Sequence, residues 1–302
     1  MEIAANLLYK AEPNLNIEYI FIRTRGDVDR SSPLYRLRGR GLFEREVNRA
    51  LREGRIDVAV HSAKDVPFES IEEHGFQAIV PRRGSRYDVL ISRSGLGLES
   101  LPPGSIVGTS SLRRLSFLRY YRGDIEVRNI RGNVDTRIRK VMEGGYDAVV
   151  LAEAGLERLG IDIEFHRLSL DEFIPAAGQG ALLLMVRHGS EAEDLVRSVG
   201  DHASYLEVMF EKIFLRLMGG GCNIPIGVTS FYDSDVGGLR VIAGVVSPDF
   251  KRRVVVRKFI DVDEASSMDL DYIRGLAREF FDYFGESGGM ELVEGWLDGR
   301  SV

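Results

Sequence analysis

The chain has 302 residues, 44% of them apolar, so it can bury substantial cores and is expected to form two or three domains. Its formal net charge of −6 argues against general nucleic-acid binding. Its single cysteine excludes an internal disulfide and the paired cysteines of zinc sites.

The first residues carry no signal for export or membrane insertion. Met1–Ala5 lacks a basic start followed by an apolar core, and no later run of about eighteen apolar residues occurs. The five histidines are scattered, with no two at metal-ligand spacing. We therefore expect a cytoplasmic protein without a transition-metal site.

Short apolar runs alternate with amphipathic segments through the first 180 residues. Ile17–Ile22 alternates as a strand does, Gly41–Arg52 carries apolar residues at helical spacing, and Ile56–His61 is typical of a buried strand. Three further strands, each followed by a helical segment, are predicted at Ser105–Gly108, Glu126–Ile130 and Asp147–Leu151. This alternation predicts α/β architecture with parallel strands.

The pattern changes after residue 181. A buried strand and two helices are predicted at Leu182–Val186, Glu191–Val199 and His202–Met218. Three consecutive strands and two closing helices are predicted at Ile226–Tyr232, Leu239–Ser247, Arg252–Asp261, Asp269–Phe284 and Met290–Leu297. Consecutive strands followed by helices predict a small α+β domain with an antiparallel sheet.

The single cysteine, Cys222, lies in the glycine-rich run Gly219–Gly227. Glycines leave the backbone around the sulfur bare, while Asn223 and the stiff Pro225 hold the far side of the loop. A thiol in this setting is available for covalent chemistry. The alternative is a buried, inert cysteine.

Positive charge in this chain is carried mostly by arginine. Of the 40 basic residues 6 are lysines, which leaves 34 arginines, whose planar groups suit carboxylates. The segment from Thr109 to Arg139 contains eight arginines and three acids. This local surplus of five positive charges indicates an anionic ligand. A solvated helix face is the alternative, and we favour it for Arg119, Arg122 and Arg139.

Polar residues follow the predicted strands, where the crevice of an open α/β sheet lies. Lys64 and Asp65 follow Ile56–His61, and Asp65 is placed for proton transfer or for stabilising a cation. The alternative is a helix-capping aspartate beside a solvated lysine.

The next predicted strand ends lead into an anion site. The hydroxyl residues Thr109, Ser110 and Ser111 precede a helix with Arg113 and Arg114 in its first turn. Three more arginines that could face the same crevice are Arg131, Arg137 and Arg158. Any one of them could instead be structural or solvated, but their repetition in successive loops favours a shared anion pocket.

Five motifs, taken together and in order, resemble the porphobilinogen deaminase (hydroxymethylbilane synthase) family. They are His61–Pro67, Gly108–Arg114, Arg131–Arg137, Pro175–Ala181 and Gly220–Gly227. The resemblance extends from the N-terminal helix to the last domain. It implies a cytoplasmic, monomeric transferase of tetrapyrrole (haem) biosynthesis that needs no metal, nucleic acid or membrane.

The resemblance also implies a cofactor and a reaction. A dipyrromethane would be joined by a thioether to Cys222 and would prime the stepwise addition of four porphobilinogen molecules, each losing ammonia. Hydroxymethylbilane would then be released by hydrolysis. Every pyrrole carries an acetate and a propionate, which accounts for the arginines.

Roles for individual residues follow from the matching motifs. Asp65 matches the catalytic aspartate, which would stabilise an azafulvene-like cation and move protons. The matching cofactor contacts are Lys64, Thr109, Ser110, Ser111, Arg113, Arg114, Arg131, Arg137 and Arg158. Arg36, Arg40 and Gln179 match positions expected to bind substrate or to belong to the flexible loop over the site.

The resemblance implies two α/β domains like those of periplasmic binding proteins plus a smaller C-terminal α+β domain. The limits would be 1–82 with a return at 178–201, then 83–177, and 202–302 with the cofactor cysteine. Family members begin with a strand and a Thr-Arg-Gly-Ser-type turn, whereas this sequence starts inside the following helix. Either the start codon is assigned too far downstream, or an edge of the first sheet and two cofactor contacts are missing here.

Two other functions remain open at this stage. A non-catalytic carboxylate-binding α/β clamp would use the same arginines but would not explain the glycine-bracketed cysteine. A deaminase inactivated by loss of its first strand would keep the motifs without the turnover.

Overall fold

A computed structural model describes residues 1–22, 44–72, 75–219 and 224–298. The described strands are β1 (Val58–Ser62), β2 (Phe76–Ile79), β3 (Asp88–Ser92), β4 (Ile106–Gly108), β5 (Glu126–Arg128), β6 (Ala148–Ala152), β7 (His166–Arg167), β8 (Leu182–Arg187), β9 (Gly227–Asp233), β10 (Gly238–Val246) and β11 (Arg253–Asp261). The described α-helices are α1 (Glu2–Ala11), α2 (Arg45–Arg52), α3 (Phe68–Ile71), α4 (Leu112–Tyr121), α5 (Val134–Met142), α6 (Glu153–Leu159), α7 (Glu193–Ser198), α8 (His202–Leu217), α9 (Leu270–Glu286) and α10 (Gly289–Leu297).

The strands form three sheets, and the chain crosses twice between the first two. The first sheet has the order β1-β8-β2 and the second the order β5-β4-β6-β3-β7. The chain leaves the first sheet between residues 80 and 87 and returns between 168 and 181. The predicted domain limits at 82–83 and 177–178 fall within these two crossovers.

Strand direction in both of these sheets differs from the parallel arrangement that the sequence predicts. In the first sheet, β8 runs antiparallel to β1 and to β2. Strand β4 runs parallel to β5 and β6, but β3 runs antiparallel to β6 and to β7. Because β3 is reversed, its first residue, Asp88, pairs with Ala152 at the carboxyl end of β6. Asp88 therefore lies at the edge of the sheet where the anion site is predicted.

The C-terminal sheet confirms the predicted antiparallel α+β unit. Its order is β11-β10-β9, and β10 pairs antiparallel with both neighbours. Helix α8 lies against this sheet, and its residues Phe210 and Phe214 are fully buried. Both phenylalanines belong to a continuous core that also contains Ala63 and Val66, which follow β1. The C-terminal unit and the end of β1 thus share one core.

The prediction of a strand at Ile17–Ile22 is wrong for the part of the chain that the structure describes. These residues belong to no described sheet, and Phe21 is 82% exposed. Alternating apolar residues favour an extended backbone, but a strand also needs a neighbour for its N–H and C=O groups. No described strand supplies that neighbour.

Neither a membrane-spanning helix nor a cluster of metal ligands occurs in the part of the chain that the structure describes. None of the helices there is long and apolar enough to cross a bilayer. Within 1–22, 44–72, 75–219 and 224–298, no three His, Cys, Asp or Glu residues are grouped so that they could hold a metal ion.

A buried histidine at the end of β1 makes the stability of the fold depend on pH. His61 is 9% exposed, and its Nε2 lies 3.0 Å from Asn48 Oδ1. Burial lowers the pKa of His61 to about 4, although the charge of Asp65 opposes this shift. An unfolded histidine has a pKa of about 6.5, so the unfolded chain takes up the proton first as pH falls.

We expect the stabilising contribution of His61 to be complete above about pH 6.5 and lost as pH falls towards 4, a change of about 3 kcal/mol. Urea denaturation at pH 7 and pH 4.5 measures it. His61→Gln should lose less stability over this interval than the wild type. His188→Gln, at a side chain that is 70% exposed, is the matched control and should behave as the wild type does. Equal pH dependence in all three proteins would contradict this prediction.

Candidate catalytic and anion-binding site

A short 3₁₀ turn presents Asp65 at the end of β1. Ala63–Asp65 form the turn, Ala63 N donates to Ala181 O at 3.1 Å, and Val66 N donates to Ala63 O at 3.3 Å. Ala63 and Val66 are buried, whereas Asp65 is exposed. The backbone of the turn is therefore fixed while its carboxylate remains accessible.

The pKa of Lys64, the residue before Asp65, is shifted by burial and by four neighbouring charged groups. Burial lowers the pKa of Lys64 to about 8, and the charges of Arg114 and Arg113 lower it further. The charges of Asp65 and Asp88 act in the opposite direction. Lys64 therefore lies among the predicted cations and loses its own charge around pH 8.

This lowered pKa predicts that anion binding weakens as pH rises. Between pH 7 and pH 9 Lys64 becomes neutral, whereas an arginine stays charged. In a Cys222→Ser background, which carries no thioether, the rise in melting temperature produced by sulfate should shrink over this interval. Replacing Lys64 with arginine should remove most of that pH dependence, and the surface change Lys251→Arg should not. The prediction fails if Lys64→Arg leaves the pH dependence unchanged.

The three predicted hydroxyl residues build the loop between β4 and α4. The Ser110 hydroxyl donates to Ile130 O. Ser111 Oγ accepts from Arg114 N at 3.4 Å and caps α4, and Thr109 Oγ1 accepts from Ser111 N at 3.2 Å. All three hydroxyls thus have a structural role, and their predicted contact with a cofactor stays a prediction.

Asp88, which the sequence analysis missed, joins Arg113 and Arg114. Its Oδ1 accepts from Arg114 Nε and Nη2 at 3.0 and 2.7 Å, and its Oδ2 lies 2.8 Å from Arg113 Nη2. The side chain of Asp88 is fully buried, and the two arginines hold its pKa well below the usual range against the opposing effect of burial. The sequence did contain a signal for this residue, since Asp88 is an acid at the start of the apolar run Asp88–Ser92. A charge buried with such a run requires a partner of opposite charge.

One carboxylate does not neutralise two guanidinium groups. Arg113 Nη1 also donates to Ile174 O at 2.6 Å, but its buried Nε has no hydrogen-bond partner in the described residues. Burial lowers the pKa of Arg113, and the neighbouring charge of Arg114 adds to that effect. Arg113 and Arg114 together carry more positive charge than Asp88 neutralises, so a net positive charge remains there.

Arg137 and Arg131 extend this positive region. Arg137 Nε donates to Gly132 O at 2.7 Å. Burial lowers the pKa of Arg137 to about 10, and the charges of Arg114 and Arg131 contribute while Asp65 opposes them. These cations are thus close enough to repel one another, as in a site shaped to bind an anion.

Arg158 connects the second sheet to the first. Its Nη2 donates to Gly180 O at 2.8 Å, and its Nη1 donates to Ser62 Oγ at 3.3 Å. Burial lowers its pKa, and the charges of Glu157 and Asp65 oppose the change. Arg158 therefore lies near the turn that carries Asp65.

Gln179 is 1% exposed and contacts two charged residues of the site, Asp88 and Arg114. Its Nε2 donates to Asp88 Oδ1 and to Arg86 O, both at 2.9 Å, and its Oε1 lies 3.5 Å from Arg114 Nη2. The structure thus gives it contacts to Asp88 and Arg114, and direct contact with substrate stays a prediction.

The remaining predictions fall into two groups. Cys222, Arg36 and Arg40 lie outside the described residues. Of the three arginines assigned to a solvated helix face, Arg139 is on the surface and pairs with Glu143. The assignment is wrong for Arg122, whose side chain is 14% exposed and donates to Leu98 O and Leu101 O, and the half-buried Arg119 donates to Ile125 O.

The assembled residues suit a polycarboxylate. Three acids, Asp65, Asp88 and Glu157, lie among six cations, which are Lys64, Arg113, Arg114, Arg131, Arg137 and Arg158. Dipyrromethane carries an acetate and a propionate on each ring. The donor set and the mutual repulsion of its cations fit that group.

The sequence is similar to known proteins over most of its length. Residues 1–194 match the family model "Porphobilinogen deaminase, dipyromethane cofactor binding domain", and residues 205–271 match "Porphobilinogen deaminase, C-terminal domain". A probable porphobilinogen deaminase of Hyperthermus butylicus is 42% identical over 272 residues, with 89% of each chain covered. The porphobilinogen deaminase of Roseiflexus castenholzii is 43% identical over 230 residues, with 76% of each chain covered.

A solved structure of a Salmonella typhimurium periplasmic binding protein with high arginine specificity is a distant structural neighbour. It shares 14% identity and a TM-score of 0.38 over 67% of this chain and 81% of its own. The two family models together span most of the sequence, and the relatives are well above 30% identical. The chain belongs to the porphobilinogen deaminase family.

Proposed function

We propose that this chain joins four porphobilinogen molecules head to tail, each with loss of ammonia, and releases hydroxymethylbilane. The observation that carries the proposal is an exposed carboxylate, Asp65, on a fixed turn beside a partly buried cluster of cations. Family membership supplies the reaction, and the cluster matches its polyanionic substrate and product. Cys222 would hold the dipyrromethane, which would supply the terminal pyrrole for joining the first substrate unit.

The proposed role of Asp65 follows from the charge that develops on the substrate. When the C–N bond of the aminomethyl group breaks and ammonia leaves, positive charge spreads over the pyrrole and its exocyclic carbon. A nearby carboxylate stabilises that charge more than it stabilises the bound substrate, which accelerates the step. The same carboxylate can accept the proton lost from the ring carbon that forms the new C–C bond.

The proposed role of the cations is to hold carboxylates. Arg113, Arg114, Arg131 and Arg137 would bind the acetates and propionates of the primer and growing chain, with Lys64 and Arg158 nearer to Asp65. Guanidinium groups bind carboxylates in a fork that fixes orientation as well as charge. Orientation of the reacting rings would then depend on these side chains.

Intact-protein mass and ammonia release test the proposal. Protein from cells that make porphobilinogen should carry an adduct of dipyrromethane size, and Cys222→Ser should lack it. The loaded protein should release ammonia and hydroxymethylbilane from porphobilinogen. An unmodified mass without ammonia release would support a carboxylate-binding clamp instead. An adduct without turnover would indicate an inactive deaminase.

We infer in addition that the protein works as a cytoplasmic monomer without a metal. Light scattering of the loaded protein should give the monomer mass. Activity should survive extended dialysis against a chelator. A larger particle, or activity restored only by an added divalent ion, would contradict this inference.

A further inference from the structure

A buried lysine on α8 contacts the turn that carries Asp65. Lys212 is 3% exposed, and its Nζ donates to Val66 O at 2.8 Å. Val66 directly follows Asp65, and both Val66 and Ala63 are buried in the core shared with α8. Burial of an ammonium group costs free energy unless hydrogen-bond acceptors replace the lost water, so the bond from Lys212 to Val66 O helps to offset that cost.

The hydrogen bond from Lys212 is one of three that hold the backbone of the turn around Asp65. Ala63 N is bound to Ala181 O, Val66 N closes the turn on Ala63 O, and Val66 O accepts from Lys212. The backbone is thus held before and after Asp65. The position of the carboxylate depends on the last of these bonds because Val66 is its immediate neighbour.

Lys212 is itself held in place by its surroundings. The adjacent residue, Glu211, is fully buried and accepts from Gly178 N and Ser230 N, both at 2.7 Å. Arg83 forms a bidentate ion pair with Glu211, in which Nη1 donates to Oε1 at 2.7 Å and Nη2 donates to Oε2 at 2.9 Å. Arg83 and Gly178 lie on the two crossovers between the first and second sheets, so Glu211 fixes α8 to both.

Packing leaves Lys212 no room to move towards the second crossover. Gly178 has φ +74°, and a Cβ built on it would lie 3.2 Å from Lys212 Cε and from Ala63 Cβ. The lysine stem therefore runs between the crossover and the turn. Helix α8 ends at Leu217, five residues before Cys222 in the sequence.

We propose that Lys212 is a positioning residue that sets the Asp65 turn in register with the helix leading to the cofactor loop. This inference rests on the proposed function, because it assigns Asp65 the catalytic role. A displacement of about 1 Å at a reacting group can lower a rate about 100-fold, so loss of this bond should reduce the chemical step.

Lys212→Met tests the proposal because it keeps the length of the side chain and removes the donor. The variant should retain the dipyrromethane adduct and a KM within about threefold of the wild type, while kcat falls about 10- to 100-fold. Lys212→Arg, which keeps a donor, should recover most of kcat. Lys258→Met, at a surface lysine paired with Glu279, is the matched control and should keep wild-type kcat.

A second measurement does not depend on activity. Hydrogen exchange of backbone amides in residues 62–68 should accelerate in Lys212→Met and return towards wild type in Lys212→Arg. Unchanged exchange there, or wild-type kcat in Lys212→Met, would overturn the proposal. If Lys212→Met does not fold, Lys212→Gln is subject to the same two criteria. A wild-type protein that releases no ammonia would refute the proposed function, whereas the exchange result stands independently of it.

Discussion

Replacing Asp65 with alanine is expected to lower kcat by about 10³- to 10⁴-fold, the largest effect of any single change at this site. The residue is exposed at the end of a fixed turn, and its charge acts on Lys64, Arg137 and Arg158. Its removal takes away the negative charge that faces the cation formed on the substrate. Stability should change little because the side chain is exposed.

Two further variants separate charge from shape. Asp65→Asn keeps the shape and loses the charge, so its kcat should be nearly as low as that of Asp65→Ala. Asp65→Glu keeps the charge at a longer reach and should retain more activity than either. Rates are measured as ammonia release per molecule that carries the adduct. This separates defects in turnover from defects in loading.

Glu99→Ala provides the matched control, since Glu99 is an exposed acid in another 3₁₀ turn, Leu98–Ser100. It should keep wild-type kcat. If Asp65→Asn turned over porphobilinogen at a rate close to the wild type, the electrostatic role assigned to Asp65 would be wrong.

The sequence predicted those parts of the site that follow a repeated local rule. Lys64–Asp65 and Thr109–Arg114 follow short apolar strands, and the structure places both at strand ends near each other. Such predictions succeed because a buried strand and the polar loop after it leave a local signature. The antiparallel C-terminal sheet was predicted for the same reason.

The parts that were missed depend on contacts distant in the sequence. Asp88 meets Arg113 and Arg114 only because β3 runs antiparallel, and nothing local reveals strand direction. Glu211 and Lys212 appear within an apolar helix as ordinary polar residues. Their partners lie 19 to 146 residues away in the sequence, so only the assembled fold discloses them.

The supporting carboxylate Asp88 is expected to matter most for stability. It is fully buried between Arg113 and Arg114, so Asp88→Ala leaves two buried guanidinium groups without their counter-charge. Breaking a buried pair in this way costs about 3 to 5 kcal/mol. Urea denaturation of the variant in a Cys222→Ser background, at low ionic strength, measures the loss without any contribution from a bound cofactor.

Matched variants test whether charge is the cause. Asp88→Asn should be intermediate, because it keeps an acceptor for Arg114 but not the charge. Asp57→Ala removes the partner of Arg187 at a side chain that is 77% exposed, and should cost about 1 kcal/mol or less. A cost for Asp88→Ala no larger than that of Asp57→Ala would contradict the assignment.

Added sulfate and low pH should both reduce the difference between Asp88→Ala and the parent protein. Sulfate can occupy the place of the lost carboxylate, so it should stabilise Asp88→Ala more than the parent. The pKa of Asp88 is lowered in the folded state, so its contribution is complete above the unfolded value of about 3.9 and declines as pH falls below it. If the difference were insensitive to both conditions, the loss would come from packing and not from charge. Asp88 would then fill space between the arginines without setting the charge of the anion site.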